Sequence, residues 1–294
     1  MYRRRPVFAS VKTGEETPLS EDNTADSKEF LWLFRWHLIA AAVHGVSFIA
    51  LLVLYLVRKA NDEDTLSSRL FSDTFSRKDG EVTIEDLGDY DLTIVLLFMP
   101  SLTAVFHLIQ AYLCRPGGEI VGYLRDVTKG VNWVRWAEYS ITASLMTWIV
   151  AQLSGITNVF LLWLLAVVSN VALQWNGYLH ERFFMDNLKA YKKWSNWAPM
   201  LNGSVIFLGQ WSILLCYFYY AVKGADVLGF VWAAFIGMLV TFSFFPLLQI
   251  FYAFRRKHKC FIVNWFHYEV AFIVLSLVSK LALDWTLFFG VISQ

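Results

Sequence analysis

The sequence predicts an all-α membrane protein: a bundle of seven transmembrane helices, N-terminus cytoplasmic and C-terminus extracellular, with a short β element in the outer loop between spans one and two. Three observations carry this. Hydrophobic residues make up 57% of the 294-residue chain. Charged residues are only 17%, against about 25% in soluble domains. Lys and Arg are shared unevenly between the loops. The same composition excludes a disordered chain, a coiled coil and a basic nucleic-acid binder. The net charge of +1 points to no acidic partner.

A bilayer core takes about 20 apolar residues per helix. Seven stretches qualify, at roughly 30–57, 91–114, 132–153, 156–178, 199–222, 226–254 and 268–290. Residues 1–29 are polar, carry Arg3, Arg4 and Arg5, and have no apolar core behind them. They predict a disordered cytoplasmic tail and no cleavable signal peptide. Residues 30–290 are then one seven-helix domain, with 59–90 an external loop. Within that loop Glu81-Val82-Thr83-Ile84-Glu85 alternates with period two and reads as a strand. Between spans two and three, Ile120, Val121, Leu124 and Val127 fall at helical spacing, so Gly117–Lys129 reads as a short interfacial helix. Only Ser154, Gly155 and Ile156 separate spans three and four, which makes those spans antiparallel neighbours. Pro246 in span six frees a carbonyl beside aromatic residues and reads equally as a hinge or as a packing irregularity. Eighteen of the 25 Lys and Arg lie on the side of the N-terminus, six on the other, and Lys280 sits inside span seven. That asymmetry sets the orientation. The three cysteines, Cys114, Cys216 and Cys260, have no metal or disulfide spacing and read as buried inert thiols.

An ionisable residue inside a membrane span is a functional hypothesis by default. Lys280 lies near the middle of span seven, where a Lys costs about 2.5–3.5 kcal/mol. A carboxylate, a water cavity or conversion to an imine must offset that cost. The best partner is Glu138 in span three, which shares a helix face with Arg135. Ser276, Lys280 and Asp284 form one stripe of span seven. Asp284 reads equally as a rim residue reaching external water. Glu269, three turns inward, reads first as a solvated helix-start carboxylate favoured by the helix dipole. His37 and His44, seven apart, share a face of span one, and His107 lies in span two. They read either as ligands of haem or a metal, or as neutral members of a hydrated polar pocket. No fourth ligand lies at useful spacing, so the pocket is preferred and no metal site is expected. His180 sits at a span end and needs no special role.

Seven spans, a mid-span-seven Lys and an Arg-x-x-Glu on span three resemble a retinal protein, and the N-inside orientation resembles the heliorhodopsin family in particular. The matching motifs are Arg135-Trp136-Ala137-Glu138-Tyr139-Ser140 and Ile273-Val274-Leu275-Ser276-Leu277-Val278-Ser279-Lys280. Val43-His44 and Val105-Phe106-His107-Leu108 are similar to the family's inner-cavity histidines. Ala151-Gln152-Leu153-Ser154-Gly155-Ile156 is similar to its tight turn, Leu179-His180-Glu181-Arg182 to its span-four exit, and Gly229-Phe230-Val231 to its span-six entry. The resemblance implies a rhodopsin-like bundle, all-trans retinal bound to Lys280 as a protonated Schiff base, Glu138 as counterion, and a homodimer in which the outer loop takes part. It puts Ser276 where ordinary pumps hold a second carboxylate. Tyr139 and Phe242 match retinal-contact positions, and Trp285 is added to the cavity wall.

The expected function is a light-absorbing photoreceptor, neither an enzyme nor an active ion pump. Eleven residues after Glu138, where a proton pump carries a donor carboxylate, this chain has Ile149. Its expected partners are membrane lipid, a second copy and a cytosolic signalling protein at the basic 4–5 or 6–7 loop, in a plasma, host or endomembrane. No nucleic acid is expected. The alternative is a passive light-gated proton conductor, with a path through Glu138, Arg135, His44, His107, Asp284 and Glu269. A more distant alternative is a haem-binding electron carrier using His37, His44 and His107.

Overall fold

A computed structural model of the chain describes residues 21–63, 65–75, 82–116, 121–185, 194–223, 228–258 and 264–292. Helix α1 spans Glu21–Ala60, α2 Leu92–Cys114, α3 Val121–Thr128 and α4 Trp133–Leu153. Then come α5 (Val159–Leu162), a π-helical stretch Trp163–Ser169, and α6 (Asn170–Met185), which run on as one rod. Helices α7 (Ala198–Val222), α8 (Gly229–His258) and α9 (Trp265–Ile292) complete the bundle. Of these seven long helical segments, six are long and apolar enough to cross a membrane. The seventh, α4, carries Arg135 and Glu138, and both are buried among the other helices.

Helix α1 begins earlier than the expected end of the tail at residue 29. No Pro or Gly lies between Glu21 and His44, so a helix nucleated in the apolar span meets no breaker as it extends. Residues 1–20 of the expected tail lie outside the described residues. So does Glu81 of the expected strand. Between α1 and α2, β1 (Ser67–Phe75) pairs antiparallel with β2 (Val82–Asp91). The hairpin docks on the start of α5. Phe71 N–H donates to the Thr157 carbonyl at 3.0 Å, and the Asn158 amide donates to Asp73. Trp148 Nε1 of α4 donates to the Tyr90 hydroxyl at 2.6 Å. The ends of the bundle thus differ. The hairpin covers one, while the other gathers the starts of α4 and α9 and the end of α6. The two are called the hairpin face and the N-terminal face below.

Local chemistry explains the breaks between helices. Asp91 caps α2 by accepting from Thr93 N–H at 2.9 Å, and Asn132 caps α4 by accepting from Arg135 N–H at 3.2 Å. Gly155 takes φ +84°, which lets the chain reverse between α4 and α5. Helix α3 packs against α2 and α9 and buries Tyr123 and Val127, with Leu124 half-buried. The sequence does not announce the π stretch. Its loosened carbonyls are taken up by side chains: Asn170 Nδ2 reaches the Ala166 carbonyl at 3.0 Å, and Gln210 Nε2 of α7 reaches the Leu165 carbonyl at 2.9 Å. Pro246 sits inside a continuous α8, and Pro100 inside α2.

The core of the hairpin half packs Leu96 and Met99 of α2, Met146 and Ile149 of α4, and Trp211, Phe218, Phe235 and Phe242 of α7 and α8. Cys114 is buried as expected. Cys216 is exposed, because its face of α7 turns away from the bundle. Cys260 lies outside the described residues.

One glycine sets the spacing of two helices that frame the interior. A Cβ built on Gly177 of α6 would lie 2.5 Å from the Trp136 ring of α4. The Gly177→Ala protein should therefore melt at a lower temperature. Overpacking of this kind costs about 1–3 kcal/mol. A thermal melt in detergent, compared with Gly209→Ala, whose Cβ meets nothing within 4 Å, checks this.

Candidate functional site

Lys280 projects from the middle of α9 into the bundle and is 2% exposed. Its Nζ donates to Glu138 Oε1 of α4 at 2.6 Å. A cation and a carboxylate, each costly to bury alone, are thereby buried as a pair. The other Glu138 oxygen, Oε2, accepts from Gln110 Nε2 of α2 at 3.3 Å. Gln110 Oε1 accepts from Asn132 Nδ2 at 3.0 Å, and the same amide donates to Glu269 Oε2 at 2.9 Å.

That bridge ends in an ion cluster at the N-terminal face. Arg135 donates to Glu269 Oε1 at 2.6 Å and to Glu181. Glu181 also accepts from Trp136 Nε1 at 2.7 Å and from the Tyr268 hydroxyl at 2.8 Å. The Arg135 guanidinium lies 4.0 Å from the centroid of the Phe272 ring. Glu269 is 1% exposed, so its reading as a solvated helix-start carboxylate is overturned. The Arg135 charge holds it inside the bundle. Glu181, Gln110, Asn132 and Tyr268 were missed as site residues. Glu181 stands at the end of an apolar run, where a solvated carboxylate is the ordinary reading. Only its convergence with Arg135, 46 positions away, reveals it.

Toward the hairpin face, Asp284 lies one turn beyond Lys280. Its side chain is fully buried and neither carboxyl oxygen has a hydrogen-bond partner among the described residues. It does not reach the rim as one reading had it, because the apolar outer part of α9 extends beyond it to Ile292. Beside the pair, the histidines cluster. His37 and His107 face each other through their Nδ1 atoms at 3.0 Å, and the His44 ring stacks on His107 at 6.0 Å between centroids. All three are buried, and neither nitrogen of His44 has a hydrogen-bond partner among the described residues.

Lys280 also borders a cavity of about 300 Å³ between α4, α6, α7, α8 and α9. That volume is at the lower end for pockets taking a small organic ligand, roughly 300–1,000 Å³. Tyr139, Phe242, Phe245, Ser276 and Ser279 line it with Lys280. Trp285 does not. Five positions past Lys280 is about 140° around the helix, and Trp285 instead packs with Phe48, Leu51 and Phe288. Glu138 touches Lys280 without lining the cavity. His180, given no role from sequence, is fully buried and does line it. A long apolar ligand carrying an aldehyde fits this arrangement. The walls are largely aromatic and aliphatic, and the amine at the edge already has a counter-charge in place.

The family model described as Heliorhodopsin matches residues 33–292. A comparison with curated proteins finds no match.

The ion cluster makes a direct stability prediction. Arg135→Gln leaves Glu181 and Glu269 buried without their cation, and breaking a buried pair this way costs about 3–5 kcal/mol. Glu269→Gln should cost less, because Arg135 keeps Glu181. Thermal denaturation of the two variants should rank them in that order.

Proposed function

The chain belongs to the heliorhodopsin family, and from that membership we propose a photoreceptor in which Lys280 carries all-trans retinal as a protonated Schiff base with Glu138 as counterion. It is an integral multi-pass membrane protein. The observation that carries the site assignment is the 2.6 Å contact between Lys280 and Glu138 at the edge of an aromatic cavity. When bound, the chromophore supplies absorption of visible light and an isomerisation that alters the position of the positive charge at Lys280.

The chain's own residues do the rest. Glu138 balances the charge at Lys280 Nζ and so helps set the wavelength absorbed. Gln110 fixes the second Glu138 oxygen, so the carboxylate has one defined position. Tyr139, Phe242 and Phe245 exclude water from the cavity, which strengthens the charge interaction. A change at Lys280 relaxes its hold on Glu138. The strain then passes through Gln110 and Asn132 to the Arg135 cluster, which ties α4 to α6 and α9. A local charge change thereby biases a helix arrangement with two states. Pro246, which lines the cavity within α8, is the point at which that helix yields.

Active pumping is not part of the reading. Ile149 and Ser276 stand where a one-way relay of acids needs carboxylates. The Lys and Arg asymmetry places the N-terminus in the cytoplasm, and the N-terminal face then presents the signal to a cytosolic partner. The protein works as a homodimer in this reading. One observation favours a second reading. Asp284, buried one turn from Lys280 with no hydrogen-bond partner among the described residues, suits a passive light-gated proton path.

Expressed with retinal, the protein should show one broad visible band that Lys280→Ala abolishes. A band that survives this substitution ends the assignment. Glu138→Gln should move the band to longer wavelength, because a weaker counter-charge stabilises the ground state less. Under voltage clamp at two external pH values, illumination should give no steady current. A current whose reversal potential follows the proton gradient, and which Asp284→Asn removes, establishes the conductor instead.

A further inference from the structure

The cavity has different chemistry at its two walls. Helix α9 contributes Lys280, Ser276 and Ser279 on one side. Helix α6 contributes Gln174, Asn176 and His180 on the other, with Gln249 of α8 beside them. Helices α4 and α8 pack against α6 and complete the walls between.

Two polar groups on the α6 side, Asn176 and Gln249, are hydrogen-bonded within the protein. Asn176 Nδ2 donates to the Ala172 carbonyl at 2.8 Å, and its oxygen accepts from Asn202 Nδ2 at 3.1 Å. Gln249 Nε2 donates to the Gly177 carbonyl at 3.0 Å. His180 differs. Its side chain is fully buried, it lines the cavity, and neither ring nitrogen has a hydrogen-bond partner among the described residues. Phe184 and Trp197 pack against the ring, with centroids 4.8 and 5.8 Å away. Those aromatic neighbours supply no conventional acceptor. A buried imidazole without partners is costly. A purely hydrocarbon ligand would leave that cost standing, and Phe or Leu would serve such a ligand better.

We propose that this cavity selects a retinoid bearing an oxygen function on its ring, with the imidazole of His180 as the hydrogen-bonding partner of that oxygen. The inference rests on the retinal reading above and deepens it: Lys280 takes the aldehyde and His180 meets the ring oxygen. A neutral imidazole offers one donor and one acceptor, so a ring hydroxyl is served by either nitrogen.

The test is a competition. The full-length protein is expressed without retinoid, given equal amounts of all-trans retinal and all-trans 3-hydroxyretinal, and purified. The bound chromophores are released as oximes and separated by chromatography. One net hydrogen bond is worth about 0.5–1.5 kcal/mol, so the hydroxylated form should exceed the plain one by roughly two- to tenfold. His180→Phe should bring the ratio to one. His180→Gln, which can still donate and accept, should keep the preference. Equal uptake by the wild-type protein overturns the proposal, and so does a preference that survives in His180→Phe. Failure of both retinoids to give a visible band would instead defeat the retinal reading itself, and this inference with it.

Discussion

A cation buried in the middle of a membrane-spanning helix is the constraint around which the molecule is arranged. Lys280 cannot stay there unpaired, and Glu138 is the group that meets it. That one requirement puts a carboxylate inside α4, the long segment that is not among the six apolar enough to cross a membrane. It is also why α4 is enclosed by its neighbours. Once Glu138 is committed, its second oxygen needs a donor, and Gln110 supplies it from α2. The polar interior thus grows outward from a single pair, one satisfied group at a time.

Much of the architecture was legible in the sequence because it depends on long apolar runs. The positions of Lys280 and Glu138 were legible for the opposite reason: a charge within such a run is conspicuous. The Arg135 cluster was legible only in part. Arg135 and Glu269 stood out individually, but nothing in their spacing joined them to each other or to Glu181. Those contacts link α4, α6 and α9 across 46 and 134 positions of sequence. Helical periodicity reports which face a residue occupies and is silent on which neighbour that face meets. Trp285 failed for a simpler geometrical reason, since five residues carry it off the Lys280 face. His180 failed because a histidine at the end of a span is ordinarily solvated, and only the surrounding rings show that this one is not.

The two faces of the bundle are held in different ways. At the N-terminal face, directional ion pairs join three helices, and small displacements there disrupt several hydrogen bonds together. At the hairpin face the contacts are largely apolar, supplemented by the hairpin's docking on α5 and its link to Trp148. Packed aromatic contacts, such as the Phe218 and Phe235 rings stacked 4.0 Å apart, resist separation yet tolerate sliding better than an arginine shared between two carboxylates does. A disturbance at Lys280 therefore meets a brittle support on one side and a compliant one on the other.

The π stretch at Trp163–Ser169 has a consequence for the history of the helix that contains it. A π turn accommodates one residue more than an α turn without disturbing what lies beyond it. His180 and Glu181 consequently keep the orientation they would have in a chain one residue shorter. The stretch has the form of an insertion absorbed in place, with Asn170 and Gln210 adopted as its repairs. On this view a relative with an unbroken α-helix here would align with a single-residue gap between Asn158 and Asn170, and the functional face of its helix would be unchanged.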